Sequence, residues 1–479
     1  MQLIFELSKK GRRGVQIDPL DVPDVSPPSH LCRHTDLRLP EVTELDVVRH
    51  FTRLSRRNFG VDTNFYPLGS CTMKYNPKVM DRIAAEPGFA QLHPHLSSCP
   101  AFLKECQGAL ALIYHLERLL AEIGGMDAVT LQPIAGAHGE LTGTLLIAAY
   151  HKDKRNEKDL VLVPDSAHGT NPASAAIAGF KVVEVPSAPD GTLDREAFRA
   201  ALTERVAAVM LTCPNTHGLF EPAVQQIAEM AHAVDALMYY DGANLNAIVG
   251  RCRPGDLGFD VMHFNLHKTF ATPHGMGGPG AGPVGVNEKL APYLPGPRVT
   301  KTEEGYELSE PIKSIGKIAP FFGNFLVAVR AYAYIRMLGA EGLEAVSANA
   351  VLNANYVLSR LREYFPPAFQ GNCMHECVLS AVPFLQHGVK ALDFAKALLD
   401  KGFHAPTVYF PLTVKESLMI EPTETESRDT LDAFCDAMIE LARDASESPE
   451  KLHAAPTTTP VGRLDEVRAA RELNCIYPA

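Results

Sequence analysis

Between residue 56 and about residue 340, short apolar runs alternate with longer segments whose apolar residues recur at helical spacing. Alternation of this kind is typical of βαβ units and predicts a mainly parallel sheet covered by helices. We predict strands over six runs, which span residues 129–132, 160–163, 181–185, 206–212, 237–240 and 259–264. Helical spacing over residues 109–123 predicts a helix that ends at Gly124-Gly125, because glycine readily adopts the left-handed C-cap conformation.

The pattern changes at both ends of the chain. Prolines punctuate the first forty residues and oppose regular structure there, which predicts an extended arm that we place at residues 1–55. After residue 345, helical spacing over 351–364, 391–401 and 430–443 and an apolar run over 377–382 predict a smaller α+β domain. The predicted division is therefore an arm (1–55), a large α/β domain (56–345) and a small C-terminal domain with a tail (346–479).

Two further segments have distinct patterns. Residues 292–311 are rich in proline, glycine and charge, which predicts a long loop at the surface or at an interface. The apolar stretch 318–338 contains Asn324, Arg330 and Arg336, which are costly in hydrocarbon, so we predict a buried helix and no membrane span.

Composition narrows the classes of protein. The 479 residues carry 45 Lys plus Arg against 56 Asp plus Glu, a net charge of −11 that disfavours nucleic acid and anionic lipid as partners. Ten cysteines without a secretory signal favour reduced thiols and a cytoplasmic location.

Four predicted strand ends carry residues suited to ligand binding, which in α/β sheets occurs beyond the carboxyl ends of strands. They are the helix start Ala135-Gly136-Ala137, then His168, Asp241 and Lys268. Small residues at a helix start leave backbone N–H groups open to an anion, although a tight turn also requires them. A buried aspartate needs donors or a cation, although it can simply cap a helix. A lysine among apolar side chains loses its proton more easily and becomes a nucleophile, although most lysines are surface residues.

The pairing of Asp241 with Lys268 at neighbouring strand ends favours a cofactor site over the structural explanation of each residue taken alone. Pyridoxal 5'-phosphate requires a lysine for its Schiff base and a carboxylate that keeps its pyridine nitrogen protonated. His168 supplies a ring to stack on the cofactor, and the helix start accepts the phosphate. The sequence therefore predicts a pyridoxal-phosphate site.

Two other motifs are weaker. Residues 275–280 fit the glycine pattern of dinucleotide sites, but they follow a Pro-His loop rather than a strand. Cys373-Met-His-Glu-Cys377 could supply metal ligands, but it has no second pair of Cys or His at zinc-finger spacing, so we predict no metal site.

Several long segments resemble one family, the P-protein of the glycine cleavage system, glycine dehydrogenase (decarboxylating). They are Tyr66-Pro-Leu-Gly-Ser-Cys-Thr-Met-Lys74, Asp165-Ser-Ala-His-Gly-Thr-Asn-Pro-Ala173, Asn265-Leu-His-Lys-Thr-Phe270, Glu421-Pro-Thr-Glu-Thr-Glu-Ser427 and Thr459-Pro-Val-Gly-Arg-Leu-Asp465. The chain resembles the Lys-bearing half, subunit 2 of the two-subunit bacterial form, which implies a partner, subunit 1, and an α2β2 heterotetramer.

The resemblance also implies a fold, an activity and residue roles. The fold is pyridoxal-phosphate fold type I, similar to aspartate aminotransferase. Lys268 carries the cofactor, Asp241 contacts the pyridine nitrogen and His168 stacks on the ring. Ala135, Gly136 and Ala137 hold the phosphate, and Thr216 and His267 add contacts. The implied oxidoreductase decarboxylates glycine, releases CO2 and transfers the aminomethyl group to the lipoyl-lysine of the H-protein.

Some questions stay open at this stage. We expect the loop Tyr66–Lys74 to form part of the channel for the lipoyl arm, while Cys71 within it can equally be a buried apolar residue. Residue spacing does not separate this reaction from those of serine hydroxymethyltransferases or aminotransferases, which use the same cofactor plan. A non-catalytic scaffold subunit of the same fold is a further alternative, against which Lys268 argues.

Overall fold

The computed structural model describes residues 2–23, 25–35, 37–275 and 280–477. It divides into two compact units, a terminal unit of Met1–Thr63 with Thr458–Ala479 and a central unit of Asn64–Thr457. The division of the sequence at residues 55 and 345 stays a prediction. Among the described residues, no helix combines the length and apolar character needed to cross a membrane. The expected cytoplasmic location likewise stays a prediction.

Strands occur only in the central unit, as far as the structure describes the chain. In chain order they are β1 (Ala128–Thr130), β2 (Leu160–Pro164), β3 (Lys181–Val185), β4 (Val206–Thr212), β5 (Leu237–Gly242), β6 (Val261–Phe264), β7 (Val284–Val286), β8 (Arg298–Lys301), β9 (Tyr306–Ser309), β10 (Cys377–Ser380), β11 (Thr407–Val408) and β12 (Ser417–Ile420).

The helices occur in both units, and short 3₁₀ turns lie between several of them. In chain order they are α1 (Glu44–Ser55), α2 (Lys78–Ala84), α3 (Pro87–Ala90), α4 (Gln107–Gly124), α5 (Gly136–Lys154), α6 (Thr170–Ile177), α7 (Arg195–Ala201), α8 (Val224–Ala233), α9 (Phe325–Leu361), α10 (Ala391–Asp400), α11 (Arg428–Glu447), α12 (Pro449–Ala454) and α13 (Glu466–Arg471).

The main sheet has seven strands in the order β1-β7-β6-β5-β4-β2-β3. Strands β3, β2, β4, β5 and β6 are parallel to their neighbours, whereas β7 is antiparallel to both β6 and β1. All six predicted strands are present, and β3 and β4 have the predicted bounds. The predicted helix over residues 109–123 is α4, and Gly125 ends it in the left-handed conformation (φ 68°).

Alternate residues of the central strands enter two different cores, which shows that helices cover both faces of the sheet. On β5, Met238 and Tyr240 belong to a core with α4 and α8, while Leu237 and Tyr239 belong to a core with α5 and α6. A third core surrounds the antiparallel sheet β10-β12-β11 with α10 and α11. Helix α9 connects the first core to the third and is kinked at Gly339 (φ 64°).

One prediction about the middle of the chain was wrong, and another was correct only in part. Residues 292–311 are not one long loop, because β8 and β9 pair there as an antiparallel ribbon. The apolar stretch 318–338 is helical only from Phe325, where α9 begins, and residues 318–324 precede it as turns and extended backbone.

The terminal unit has little regular structure. Its proline-rich segment carries short 3₁₀ turns at Ile4–Leu7 and Ser29–Leu31. The end of the predicted arm is not extended, because α1 forms there with Thr43 and Asp46 in a capping box.

Candidate active site

A cavity of about 500 Å³ lies at the carboxyl ends of the parallel strands. Seven of the eight predicted site residues line it, namely Gly136, Ala137, His168, Thr216, Asp241, His267 and Lys268. Ala135 is the N-cap of α5 and does not line the cavity in the described structure. A second group of lining residues, which we call the outer wall, lies outside the main sheet and consists of residues 68–71, His375 and Glu376 just before β10, and Thr407 and Phe410.

Asp241 lies at the end of β5, beside β6, whose carboxyl end leads to Lys268. Its carboxylate is buried and accepts hydrogen bonds from Asn171 Nδ2 at 2.9 Å and from the backbone N–H of Ala243 at 3.0 Å. Burial acts to raise the pKa of Asp241, but His263, these donors and Lys268 outweigh it and lower the pKa below 3.8. The aspartate is therefore a buried anion near neutral pH.

His263 is a partner of Asp241 that the sequence reasoning missed. It pairs with Asp241 in the register of β5 and β6, and its Nε2 lies 3.5 Å from Asp241 Oδ1. Its Nδ1 is 2.7 Å from the hydroxyl of Tyr239, and burial lowers the pKa of His263 to about 4. It was missed because it lies inside an apolar strand, where the pattern indicates only core packing.

The Lys268 amine is held by the outer wall of the cavity. Lys268 Nζ donates a hydrogen bond to the carbonyl oxygen of Ser70 at 2.7 Å. The N–H of Ser70 in turn donates to Glu376 Oε2 at 2.8 Å. The loop Tyr66–Lys74 is therefore part of the cavity wall at the lysine, and Cys71 also lines the cavity. Burial raises the pKa of the Cys71 thiol.

His168 is connected by hydrogen bonds to a buried carboxyl. Its Nδ1 is 2.8 Å from the hydroxyl of Thr170, which donates to Glu140 Oε1 at 2.9 Å. Burial, together with the charge of Asp241, raises the pKa of Glu140 to about 7. Burial lowers the pKa of His168, so its imidazole is neutral at pH 7. Glu140 follows the small residues of the predicted helix start, and the sequence assigned it no role.

Small residues at the start of α5 let neighbouring groups pack closely against its backbone. No side chain of the described residues caps its N-terminus. A Cβ on Gly136 would lie 2.6 Å from Asn265 Oδ1, and one on Gly139 would lie 2.6 Å from the carbonyl oxygen of Gly282. Packing thus favours glycine here, and the N–H groups of the first turn, beside the cavity, have no side-chain cap.

His267 and Thr216 complete the predicted set. His267 Nδ1 accepts from the N–H of Ala281 at 3.3 Å, and burial with the neighbouring His274 lowers the pKa of His267 to about 3. Thr216 donates its hydroxyl hydrogen to the carbonyl oxygen of Ser166, so its oxygen can still accept a hydrogen bond.

The residues of the Cys373–Cys377 motif lie in two different environments, and the absence of a metal there stays a prediction. Both cysteines are buried in the core around β10. His375 and Glu376 between them face the cavity instead, and their ligand atoms lie with those of Glu421 within 4.8 Å of one another. The glycine pattern at 275–280 includes residues 276–279, which lie outside the described residues.

The residues present fit pyridoxal phosphate. Buried Asp241, the Lys268 amine and the uncapped helix start all open into one cavity. Asn265 Oδ1, beside Gly136, is buried without a hydrogen-bond partner among the described residues. A bound group that carries a charged nitrogen and a phosphate would use these features.

The fold is that of fold type I pyridoxal-phosphate enzymes. A crystal structure of a glycine decarboxylase (P-protein) of the glycine cleavage system, in inhibitor-bound form, superposes with a TM-score of 0.73 over 87% of this chain and 93% of that chain, at 23% identity. At that identity the likeness shows the shared fold.

Sequence comparisons define the family. The family model "Glycine cleavage system P-protein" matches residues 17–307, and "Glycine dehydrogenase, C-terminal domain" matches residues 346–458. The chain is 58% identical over 477 residues to "Probable glycine dehydrogenase (decarboxylating) subunit 2" of Chlorobium chlorochromatii, covering 98% of each chain. It is 54% identical to the protein of the same name in Caldanaerobacter subterraneus, covering 98% of this chain and 97% of that one. The chain belongs to the glycine cleavage system P-protein family.

Proposed function

We propose that this chain is the cofactor-bearing subunit of a two-subunit glycine dehydrogenase (decarboxylating). It releases CO2 from glycine and transfers the remaining aminomethyl group to the lipoyl-lysine of an H-protein. The observation that carries the proposal is the position of Asp241 and Lys268 at adjacent strand ends, opening into one cavity.

Three residues bind the cofactor's reactive part. When bound, pyridoxal phosphate supplies an electron sink for the pair of electrons left when the carboxylate departs. Lys268 Nζ is the covalent attachment point, because it is the lysine amine that lines the cavity within the described residues. Asp241 holds a proton on the pyridine nitrogen by its buried negative charge. His168, neutral and tied to Thr170, presents a flat ring for stacking.

The phosphate end lies at the start of α5. Backbone N–H groups of Gly136 and Ala137 and the positive end of the helix dipole favour an anion there. Ala135 leads into this helix, and His267 and Thr216 line the same cavity. Because the lining residues at the helix start are small, the backbone carries most of this interaction.

Two macromolecular partners follow from the proposed reaction. The first is subunit 1, assembled with this chain as an α2β2 heterotetramer. The second is the lipoylated H-protein, whose arm must reach Lys268 and which we place along the loop Tyr66–Lys74. This loop supports the proposal because it borders the cavity and contacts the lysine through Ser70.

The test separates attachment from turnover. The holoenzyme is reduced with borohydride and digested, and mass spectrometry locates the pyridoxyl adduct. We expect the adduct on Lys268, its loss in Lys268→Ala, and its retention in Lys289→Ala, which alters a half-exposed lysine at the surface. Exchange of labelled bicarbonate into glycine, dependent on subunit 1 and lipoylated H-protein, reports the reaction. An adduct on another lysine, or exchange that does not need lipoylated H-protein, would contradict the proposal.

A further inference from the structure

His375 is a buried imidazole that faces the cavity without a hydrogen bond. Its side chain is 3% exposed and lines the same cavity as Lys268 and Asp241. Neither ring nitrogen has a hydrogen-bond partner among the described residues. The 4.0 Å between His375 Nε2 and Glu376 Oε2 is too long for a hydrogen bond.

A buried polar group is normally paired, because leaving it unpaired costs free energy. His151 illustrates the normal case in this chain. It is as buried as His375, and its Nε2 lies 2.9 Å from the carbonyl oxygen of Ala207 while its Nδ1 lies 3.1 Å from Asn156 Nδ2. The two free nitrogens of His375 are therefore not required by the fold, and their position on the cavity wall indicates a ligand.

The neighbouring carboxylates are already engaged by the protein. Glu376 Oε2 accepts the N–H of Ser70, and Glu421 accepts both the N–H and the hydroxyl of Thr72. Burial and then the charge of Glu421 raise the pKa of Glu376. His375 is thus a side chain on this wall that can donate a hydrogen bond and has no acceptor among the described residues.

The cavity also needs a group for the carboxylate of glycine. Among the described lining residues there is no arginine, the usual partner of a carboxylate. Lys268 is assigned to the cofactor by the proposed function, and His168 to its ring. We propose that the imidazole N–H of His375 donates a hydrogen bond to the substrate carboxylate, an inference that rests on the proposed function of the cavity.

The chemistry explains why a histidine suits this position. The bond between Cα and the carboxylate breaks, its electron pair stays on Cα, and the negative charge of the carboxylate is lost as neutral CO2 leaves. An arginine would stabilise the charged substrate more than the transition state and would slow the step. Burial lowers the pKa of His375, so the imidazole is neutral at pH 7. A neutral donor orients the carboxylate while stabilising its charge less.

The affinities of the holoenzyme for two amines test this role of His375. Glycine and methylamine both condense with the cofactor, but only glycine carries a carboxylate, and the absorbance change on titration gives each dissociation constant. In His375→Leu we expect glycine to bind about 10- to 100-fold more weakly, the loss of a hydrogen bond to a charged group, while methylamine binds unchanged. His375→Asn, which retains an N–H donor, should recover part of the glycine affinity.

The cofactor-free chain provides a second measurement. Because the nitrogens of His375 are unpaired, His375→Leu should unfold at the same or a higher temperature than the unmodified chain. His151→Leu, the matched control, should unfold at a lower temperature because its substitution removes the imidazole partner of the Ala207 carbonyl oxygen and leaves Asn156 Nδ2 with Asp235 as its remaining side-chain partner.

Three outcomes would overturn the inference. They are equal weakening of glycine and methylamine, destabilisation of the cofactor-free chain by His375→Leu as large as that by His151→Leu, and stoichiometric Zn²⁺ binding that His375→Leu abolishes. The last would indicate a metal site of His375, Glu376 and Glu421. Failure of the unmodified holoenzyme to bind either amine would instead refute the proposed function itself.

Discussion

Replacing Asp241 by asparagine tests the centre of the proposed site with little change in shape. The carboxylate has two oxygens that accept hydrogen bonds, from Asn171 Nδ2, the N–H of Ala243 and, at 3.4 Å, the Thr212 hydroxyl. An asparagine has one acceptor oxygen, and its NH₂ group would face one of these donors. The substitution also removes the negative charge proposed to hold the proton on the cofactor nitrogen.

The two losses have different sizes and different readouts. One buried donor left unpaired costs about 1–3 kcal/mol of folding free energy, which the cofactor-free chain should show. Loss of one partner of a buried charge pair costs about 3–5 kcal/mol. When this free energy is lost from the transition state of the reaction, the exchange rate falls by about two to four powers of ten.

Asp260 is the matched control for this experiment. It is 2% exposed, against 3% for Asp241, and it also accepts three hydrogen bonds, from Met238, His232 and Asn287. It precedes β6, at the end of the sheet away from the cavity. We expect Asp241→Asn and Asp260→Asn to lower the free energy of unfolding similarly in urea titrations, whereas only Asp241→Asn should abolish most bicarbonate exchange at saturating cofactor. Equal exchange rates in the two variants would refute the assignment of Asp241.

Three further predictions concern other cavity residues. The pKa of Glu140 is about 7 in the folded chain, above its ordinary 4.5, so ionisation of this carboxyl disfavours folding. The free energy of unfolding therefore falls by about 3 kcal/mol as the pH rises from 4.5 through 7. Glu140→Gln should therefore gain stability over the unmodified chain between pH 5 and pH 8 in urea titrations, and a constant difference would contradict the shift. Cys71→Ser should retain bicarbonate exchange, because burial raises the thiol pKa and keeps it protonated; loss of exchange would place Cys71 in the chemistry. Glu421→Gln should lower the unfolding free energy by about 1–3 kcal/mol, because Glu421 accepts three hydrogen bonds, while exposed Glu447→Gln should not.

The main sheet could be predicted where strands are buried on both faces and read as continuous apolar runs. β4 is seven residues long, six of them buried, so its bounds follow from composition alone. β7 has three residues in a stretch rich in glycine and proline, and that length falls below what a pattern can indicate. Its Gly285 is needed because a Cβ would lie 2.9 Å from Met126, a contact between distant parts of the chain. Short strands of this kind are defined by tertiary neighbours.

The dependence on tertiary neighbours also explains which cavity residues could be predicted from the sequence. The rule that ligands bind beyond the carboxyl ends of parallel strands identifies Asp241, His168 and Lys268, because one sheet positions all of them. His375 precedes a strand of a different, antiparallel sheet, and Ser70 lies in a loop, so no periodicity points to either.

That loop adopts its conformation only because distant groups hold it. Ser70 and Thr72 have φ of 65° and 53°, left-handed values that cost about 1–3 kcal/mol each for residues other than glycine. Glu376 and Glu421 bind the N–H groups of these two residues, and Gly69 packs so closely that a Cβ would lie 2.2 Å from Met419 Cγ. The result places the Ser70 carbonyl on the Lys268 amine. The side chains that hold the loop are therefore as necessary to the position of the lysine as the strand that leads to it.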